Sequence, residues 1–148
     1  HMARILVAED DRDLRSLLAC ILEDAGHDVT EAGNGTEALE KIEITEPDLL
    51  LLDIIMPEFD GFEVMEKLKD IPVAEGMMPI IVLSALAPRK GEARAWKLGA
   101  RHYIPKPFNP TRVELSVKVA SRDAAEEDEK AGRMARDTRC SGPDRWAR

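Results

Sequence analysis

Long apolar stretches and an export signal are both missing from this sequence. No run of about 18 or more apolar residues occurs, and the N-terminus has no positively charged segment followed by an apolar one. A membrane-spanning helix needs about 20 apolar residues, and a secretory signal needs that layout. The sequence therefore predicts a cytoplasmic protein without a membrane partner. Residues 1–2, a His-Met pair, are interpreted as a cloning remnant.

Negative charge outnumbers positive charge in this chain, and cysteine is scarce. The chain has 21 Lys and Arg against 29 Asp and Glu, which gives a formal net charge of -8. Nucleic-acid binding needs clustered Lys and Arg, so direct nucleic-acid binding is not expected and basic partners or cations are favoured.

Cys20 and Cys140 fit neither a disulfide framework nor a metal-ligand spacing, and they are predicted to be reduced thiols. The absence of a glycine-rich turn after the first predicted strand excludes a dinucleotide-binding enzyme.

Short apolar segments alternate about five times with segments of helical periodicity. This alternation predicts an α/β fold with a parallel sheet covered by helices on both faces. Residues 48–52 and 79–83 are apolar without alternation, as expected for central strands. We predict one domain over residues 3–122. Residues 123–148 are charged and nearly free of large apolar side chains, so they are predicted to form a tail or a helical extension, not a second core or a DNA-binding domain.

Polar side chains follow four of the predicted strands. Glu9 and Asp10 follow the first strand, Asp53 the third, Ser84 the fourth and Lys106 the fifth. Ligands of open parallel sheets bind outside the carboxyl ends of the strands, so these side chains are expected to converge. Neighbouring carboxylates repel one another unless a hard cation neutralises them. Mg²⁺ prefers oxygen ligands and leaves positions open for phosphate, and it is the predicted cofactor.

Four segments, in this order and spacing, resemble the receiver domain of two-component response regulators, the CheY-like family. They are Ile-Leu-Val-Ala-Glu-Asp-Asp at 5–11, Leu-Leu-Asp-Ile-Ile-Met-Pro at 51–57 with Gly61, Val-Leu-Ser-Ala at 82–85, and Tyr-Ile-Pro-Lys-Pro-Phe at 103–108. The resemblance covers residues 3–122. It implies a flavodoxin-like, doubly wound (βα)5 three-layer sandwich with a five-stranded parallel sheet of order 2-1-3-4-5.

The resemblance implies a phosphoacceptor role for Asp53, which would take a phosphoryl group from the phosphohistidine of a sensor histidine kinase or a phosphotransfer protein. It implies that Mg²⁺ is bound by Asp10, Asp53 and the backbone carbonyl of Ile55, with Glu9 acting through a water. The family more often has Asp at the position of Glu9, and Asp11 is a spare carboxylate for that role.

The resemblance also implies how the phosphoryl group is stabilised and sensed. Lys106 and the Ser84 hydroxyl would contact its equatorial oxygens, and the Lys106–Pro107 peptide would be cis. Ser84 and Tyr103 would form the switch, with the aromatic ring turning from outside to inside. The affected face would comprise the helix after Ser84, the fifth strand and the last helix. It would meet a partner or form a phosphorylation-dependent homodimer, while the downstream effector stays unassigned.

Two other functional classes share features with the phosphoacceptor switch. A Mg²⁺-dependent phosphohydrolase with an aspartyl nucleophile usually has a second Asp two residues later, where this chain has Ile55. A pseudo-receiver used only for docking typically loses the acidic pair or the acceptor, and both are present here. The resemblance implies that the residues at 55 and 86 control how long the phosphoryl group persists. Ile55 and Leu86 are apolar and cannot orient water, so slow self-dephosphorylation is expected, and the domain is predicted to be a signalling module, not an enzyme.

Overall fold

The computed structural model describes residues 2–71 and 78–123. Five parallel strands form one sheet in the order β2-β1-β3-β4-β5. The strands are β1 Arg4–Ala8, β2 Asp28–Ala32, β3 Leu49–Leu52, β4 Ile80–Ser84 and β5 His102–Pro105. The helices are α1 Arg12–Asp24, α2 Gly35–Thr45, α3 Gly61–Leu68, α4 Pro88–Lys97 and α5, residues 110–123. The predicted fold class and strand order are confirmed.

The sheet has a separate apolar core on each face. Successive side chains of a strand point to opposite faces, so Leu50 and Leu52 of β3 lie in one core and Leu49 and Leu51 in the other. The first core contains buried residues of α2, α3 and α4, and the second contains those of α1 and α5. Because both faces of β3 are covered, all four of its leucines are buried, which explains a strand without polar alternation.

Side-chain caps fix where the first three helices begin. The Asp11 carboxylate accepts hydrogen bonds from the backbone N–H groups of Asp13 and Leu14 at the start of α1. Asn34 accepts from the Glu37 N–H at the start of α2. Asp60 and Glu63 form a reciprocal capping box at the start of α3. These caps satisfy N–H groups that have no partner within the helix, and they set the direction in which each helix leaves the edge of the sheet.

The Lys106–Pro107 peptide after β5 is cis, as predicted. Within residues 2–71 and 78–123, no helix has the length and apolarity needed to cross a membrane. The predicted tail lies outside the described residues after Asp123, and so does Cys140. Cys20 lies exposed on α1 as a free thiol.

Candidate functional site

Three carboxylates meet at the carboxyl edge of the sheet. β1 and β3 are neighbours in parallel register, with Ala8 beside Leu52, so the residues that follow these strands lie side by side. One carboxylate oxygen each from Glu9, Asp10 and Asp53 lies within 4.8 Å of the others. Glu9 is 1% exposed and Asp53 is 4% exposed, whereas Asp10 lies on the exposed side. The structure thus brings together the acidic residues that the sequence predicted to converge.

Lys106 reaches into this acidic cluster, defined as Glu9, Asp10 and Asp53. Its Nζ lies 2.6 Å from Glu9 Oε1 and 3.1 Å from Asp53 Oδ2. Burial lowers the pKa of Lys106, but hydrogen bonds and the negative charges of Glu9 and Asp53 outweigh this effect and raise the pKa. Lys106 therefore stays protonated and compensates part of the negative charge.

The acidic cluster has the donor set that suits a hard divalent cation. Three carboxylates against one ammonium leave negative charge uncompensated. Although Asp10 is exposed, partial desolvation and then the hydrogen bond and negative charge of Glu9 raise its pKa. Oxygen ligands with an opening to solvent on one side fit Mg²⁺, which usually retains several waters. The Ile55 backbone lies next to the cluster, because its N–H donates to Asp53 Oδ1 at 3.1 Å.

Asp11, the spare carboxylate for the role of Glu9, caps helix α1. Its carboxylate oxygen Oδ1 accepts two backbone N–H groups at the start of α1, at 3.0 and 3.1 Å. Its own N–H donates to Glu9 Oε2 at 3.1 Å. Asp11 therefore orients Glu9 through its backbone and caps α1 through its side chain. It is not among the three carboxylates of the cluster.

Arg15 contacts the backbone of Glu9 next to the acidic cluster, and the sequence motifs did not include it. Its guanidinium Nη1 donates to the carbonyl oxygen of Glu9 at 2.8 Å, and its Nε lies 3.3 Å from a carboxylate oxygen of Glu31 on β2. The Arg15 side chain is largely buried. The only sequence signal is a basic residue one turn into the helix that follows the acidic pair, which is a common arrangement. Arg15 therefore fixes the backbone that presents Glu9.

Gly61 lets α3 begin directly against the backbone that carries Asp53. The N–H of Gly61 donates to the carbonyl of Ile54 at 2.8 Å. A Cβ at residue 61 would lie 2.6 Å from the carbonyl oxygen of Asp53 and 2.6 Å from Ile54 Cα. Any side chain larger than hydrogen would therefore displace the segment that follows β3. This close approach is the physical reason for glycine in the motif.

The two predicted switch residues lie on neighbouring strands. Ser84 ends β4 and is buried, and its hydroxyl oxygen accepts the N–H of Leu86 at 3.0 Å. Tyr103 of β5 is 5% exposed, and its hydroxyl donates to the carbonyl of Leu86 at 2.8 Å. Burial is the main cause that raises the pKa of Tyr103. The Tyr103 ring was expected to start in an outward, exposed position, but in this structure it is turned inward and buried.

Comparisons with known proteins agree with this architecture. The sequence pattern of the response regulator receiver domain family matches residues 5–118. The alkaline phosphatase synthesis transcriptional regulatory protein PhoP of Bacillus subtilis is 39% identical over 119 residues, which cover 80% of this chain and 48% of PhoP. The chemotaxis protein CheY of Thermotoga maritima is 37% identical over 120 residues, which cover 80% of this chain and 98% of CheY.

A solved structure shows the same fold. The CheY-like response regulator receiver domain protein of Methanospirillum hungatei matches with a TM-score of 0.79 and 30% identity, covering 86% of this chain and 99% of that one. These matches and the sheet order define a receiver domain of two-component signal transduction. The chain belongs to the response regulator receiver domain family. It spans about half the length of PhoP, 48%.

Proposed function

We propose that this chain is a phosphoacceptor switch in which Asp53 accepts a phosphoryl group from the phosphohistidine of a sensor histidine kinase or a phosphotransfer protein. One observation carries the proposal. Asp53 is a buried carboxylate at the carboxyl edge of the sheet, with the Lys106 ammonium 3.1 Å away and two further carboxylates within 4.8 Å. A nucleophile, a fixed positive charge and a set of oxygen ligands therefore share one site.

The Asp53 carboxylate is held in a defined orientation before reaction. The Ile55 N–H donates to Oδ1 at 3.1 Å, and the Lys106 ammonium donates to Oδ2 at 3.1 Å. In the transfer, a carboxylate oxygen attacks phosphorus in line, the P–N bond to the donor imidazole breaks, and its electron pair returns to the imidazole nitrogen, which is then protonated. Lys106 then neutralises oxygens of the transferred group.

Asp10, Asp53 and the backbone carbonyl of Ile55 are the proposed direct ligands of Mg²⁺, and Glu9 is proposed to act through a coordinated water. When bound, Mg²⁺ supplies positive charge that offsets both the carboxylates and the phosphoryl oxygens. The Ser84 hydroxyl at the end of β4 is the proposed donor to a further phosphoryl oxygen. Its oxygen accepts the N–H of Leu86, and a hydroxyl that accepts one hydrogen bond can donate its proton in another.

We propose slow loss of the phosphoryl group and no multiple-turnover hydrolysis. Ile55 is exposed at the site and Leu86 is half-buried beside Ser84, and neither side chain can hydrogen-bond a water molecule. Ile55 also occupies the position where an aspartyl phosphohydrolase would need an acid-base carboxylate. The phosphorylated form should therefore persist long enough to act as a signal.

The face made by α4, β5 and α5 is the proposed site of a downstream partner or of a second copy of the chain. Trp96 of α4 and Leu115 of α5 are exposed apolar side chains on these helices. Tyr103 connects this face to Ser84 through Leu86. Phosphorylation at Asp53 would shift the population of Ser84 and Tyr103 positions and so change this face.

The proposal is tested by intact mass after incubation with Mg²⁺ and acetyl phosphate. We expect the mass of one phosphoryl group to be added to the wild type, no addition in Asp53→Asn, and normal addition in the matched control Asp48→Asn. Asp48 precedes β3 at the opposite edge of the sheet, where it pairs with Arg4. No addition to the wild type would favour a docking module. Rapid consumption of acetyl phosphate without retained mass would favour a phosphohydrolase.

A further inference from the structure

A glycine occupies the interior of α4. Gly91 is the fourth residue of this helix and is buried. Glycine is among the poorest helix formers, so its presence inside a helix calls for a local reason. A Cβ at residue 91 would lie 2.6 Å from Leu86 Cδ2 and 2.9 Å from the Tyr103 hydroxyl oxygen. Both separations are well below the optimal separation of non-bonded atoms, so the missing Cβ leaves a slot that these two side chains fill.

The Tyr103 hydroxyl makes a specific bond within this slot. It donates to the carbonyl of Leu86 at 2.8 Å, and the N–H of the same residue donates to Ser84 Oγ at 3.0 Å. Leu86 is therefore tied by its carbonyl to β5 and by its N–H to the end of β4. Its side chain also packs against Gly91 on α4. Three elements of the fold converge at this one contact.

We propose that Gly91 is a positioning residue for Tyr103, because its missing side chain leaves the slot in which the phenol hydroxyl reaches the Leu86 carbonyl. The relative position of α4 and β5, and with it the surface that these elements share, then depends on the size of residue 91. The proposal goes beyond phosphorylation of Asp53 and does not rest on it. It concerns contacts among α4, β5 and the segment after β4, and it is tested without a phosphodonor.

The test uses the fact that Tyr103 is the only tyrosine in the chain. Its absorbance change at alkaline pH and the NMR signals of ¹³C-labelled tyrosine therefore report on one ring. In the wild type we expect ionisation above the ordinary pKa of tyrosine, in line with its burial, and NOEs from the ring to the Leu86 methyl groups. In Gly91→Ala we expect ionisation nearer the ordinary value and loss of those NOEs. Circular dichroism should show that the helices are retained.

Gly33→Ala is the matched control. A Cβ at Gly33 would meet the Arg15 guanidinium at 3.2 Å and no atom of Tyr103 or Leu86 within 4 Å, so the Tyr103 signals should equal those of the wild type. Alanine is a better helix former than glycine. If residue 91 were only part of the helix, Gly91→Ala would therefore raise the melting temperature and leave Tyr103 unchanged. Wild-type Tyr103 signals in Gly91→Ala would overturn the proposal.

A second variant keeps the test decisive if Gly91→Ala folds poorly. Tyr103→Phe removes the oxygen atom that a Cβ at residue 91 would meet. In the wild-type background it should lower the melting temperature, because the hydrogen bond to Leu86 is lost. In the Gly91→Ala background it should raise the melting temperature or restore folding, because the close contact is relieved. Shifts of the same sign and size in both backgrounds, or no recovery of folding, would overturn the proposal.

Discussion

Replacing Lys106 with methionine should destabilise the chain when divalent cations are absent, and Mg²⁺ should reverse much of the loss. Methionine keeps most of the length and apolar volume of the lysine stem but removes the ammonium. That ammonium lies 2.6 Å from Glu9 Oε1 and 3.1 Å from Asp53 Oδ2, and the two carboxylate side chains are 2% and 3% exposed. Without it, two buried carboxylates would share one site with no positive charge between them.

The size of the effect follows from these distances. At an effective dielectric constant of about 20, each attraction amounts to roughly 5–6 kcal/mol before desolvation is counted. The cost of burying the ammonium offsets most of this, and removal of one partner from a buried ion pair typically costs about 3–5 kcal/mol. The Lys106 side chain is 20% exposed, which favours the lower end of that range, about 3 kcal/mol. For a domain of this size the melting temperature should fall by roughly 10 °C.

Thermal unfolding in EDTA and in excess Mg²⁺ measures this effect. A cation at about 100 times its dissociation constant adds about 2.7 kcal/mol of stability. In excess Mg²⁺, Lys106→Met should therefore regain most of the stability that the wild type has in EDTA. Lys67→Met is the matched control. Lys67 is exposed in the last turn of α3, and its replacement should change stability by about 0.5 kcal/mol or less. Equal melting temperatures of Lys106→Met and the wild type in EDTA would refute the electrostatic account.

Two further predictions concern Gly61 and His27. Gly61→Ala should slow phosphorylation by acetyl phosphate at least about tenfold, because its Cβ would lie 2.6 Å from the carbonyl oxygen of Asp53 and displace the acceptor. Burial lowers the pKa of His27, whose neutral Nδ1 accepts the N–H of Ala3 at 3.1 Å. The imidazole of His27 therefore binds a proton more readily in the unfolded chain than in the folded one. The stability that this gives is fully present above about pH 6.5 and should be lost as the pH falls through the pKa of His27 in the folded chain. Urea midpoints measured at a series of pH values test this.

Each of these two predictions has its own control. Lys67→Ala, at an exposed position of the same helix, should phosphorylate at the wild-type rate, and a wild-type rate in Gly61→Ala would show that the backbone after β3 yields without moving the acceptor. His27→Gln should flatten the pH dependence of the urea midpoint. The pKa of His102 is also lowered, mainly by burial, so His102→Gln should remove a separate part of that dependence. An unchanged pH profile in His27→Gln would contradict the assignment.

The sheet and the acidic cluster were predictable because local patterns encode them. Residues 48–52 contain four consecutive leucines, and a strand covered on both faces accounts for a run of that length. Once the strands are parallel, residues that follow them must meet at one edge, so the meeting of Glu9, Asp10 and Asp53 follows from topology. Lys106 follows β5 at the same edge, and its long side chain crosses to Glu9 and Asp53.

Other features depend on contacts that no local pattern contains. Asp11 follows a strand as Asp10 does, and only the direction of α1 decides that one becomes a cap and the other joins the acidic cluster. The inward position of Tyr103 depends on how closely α4 approaches β5, and a Cβ at Gly91 of α4 would lie only 2.9 Å from its hydroxyl oxygen. Arg15 acts on Glu9 through a backbone carbonyl, so residue type alone gave no signal.

The ion pair between Lys106 and Glu9 joins residues that are 97 positions apart in the sequence. Lys106 follows the edge strand β5, whereas Glu9 follows β1, and β3 and β4 lie between these two strands. A single side chain therefore spans the upper rim of the sheet and links its outermost strand to its interior. The same ammonium lies 3.1 Å from Asp53 Oδ2, so Lys106 gives β5 a direct contact with residues after β1 and β3, two strands that are not its neighbours in the sheet.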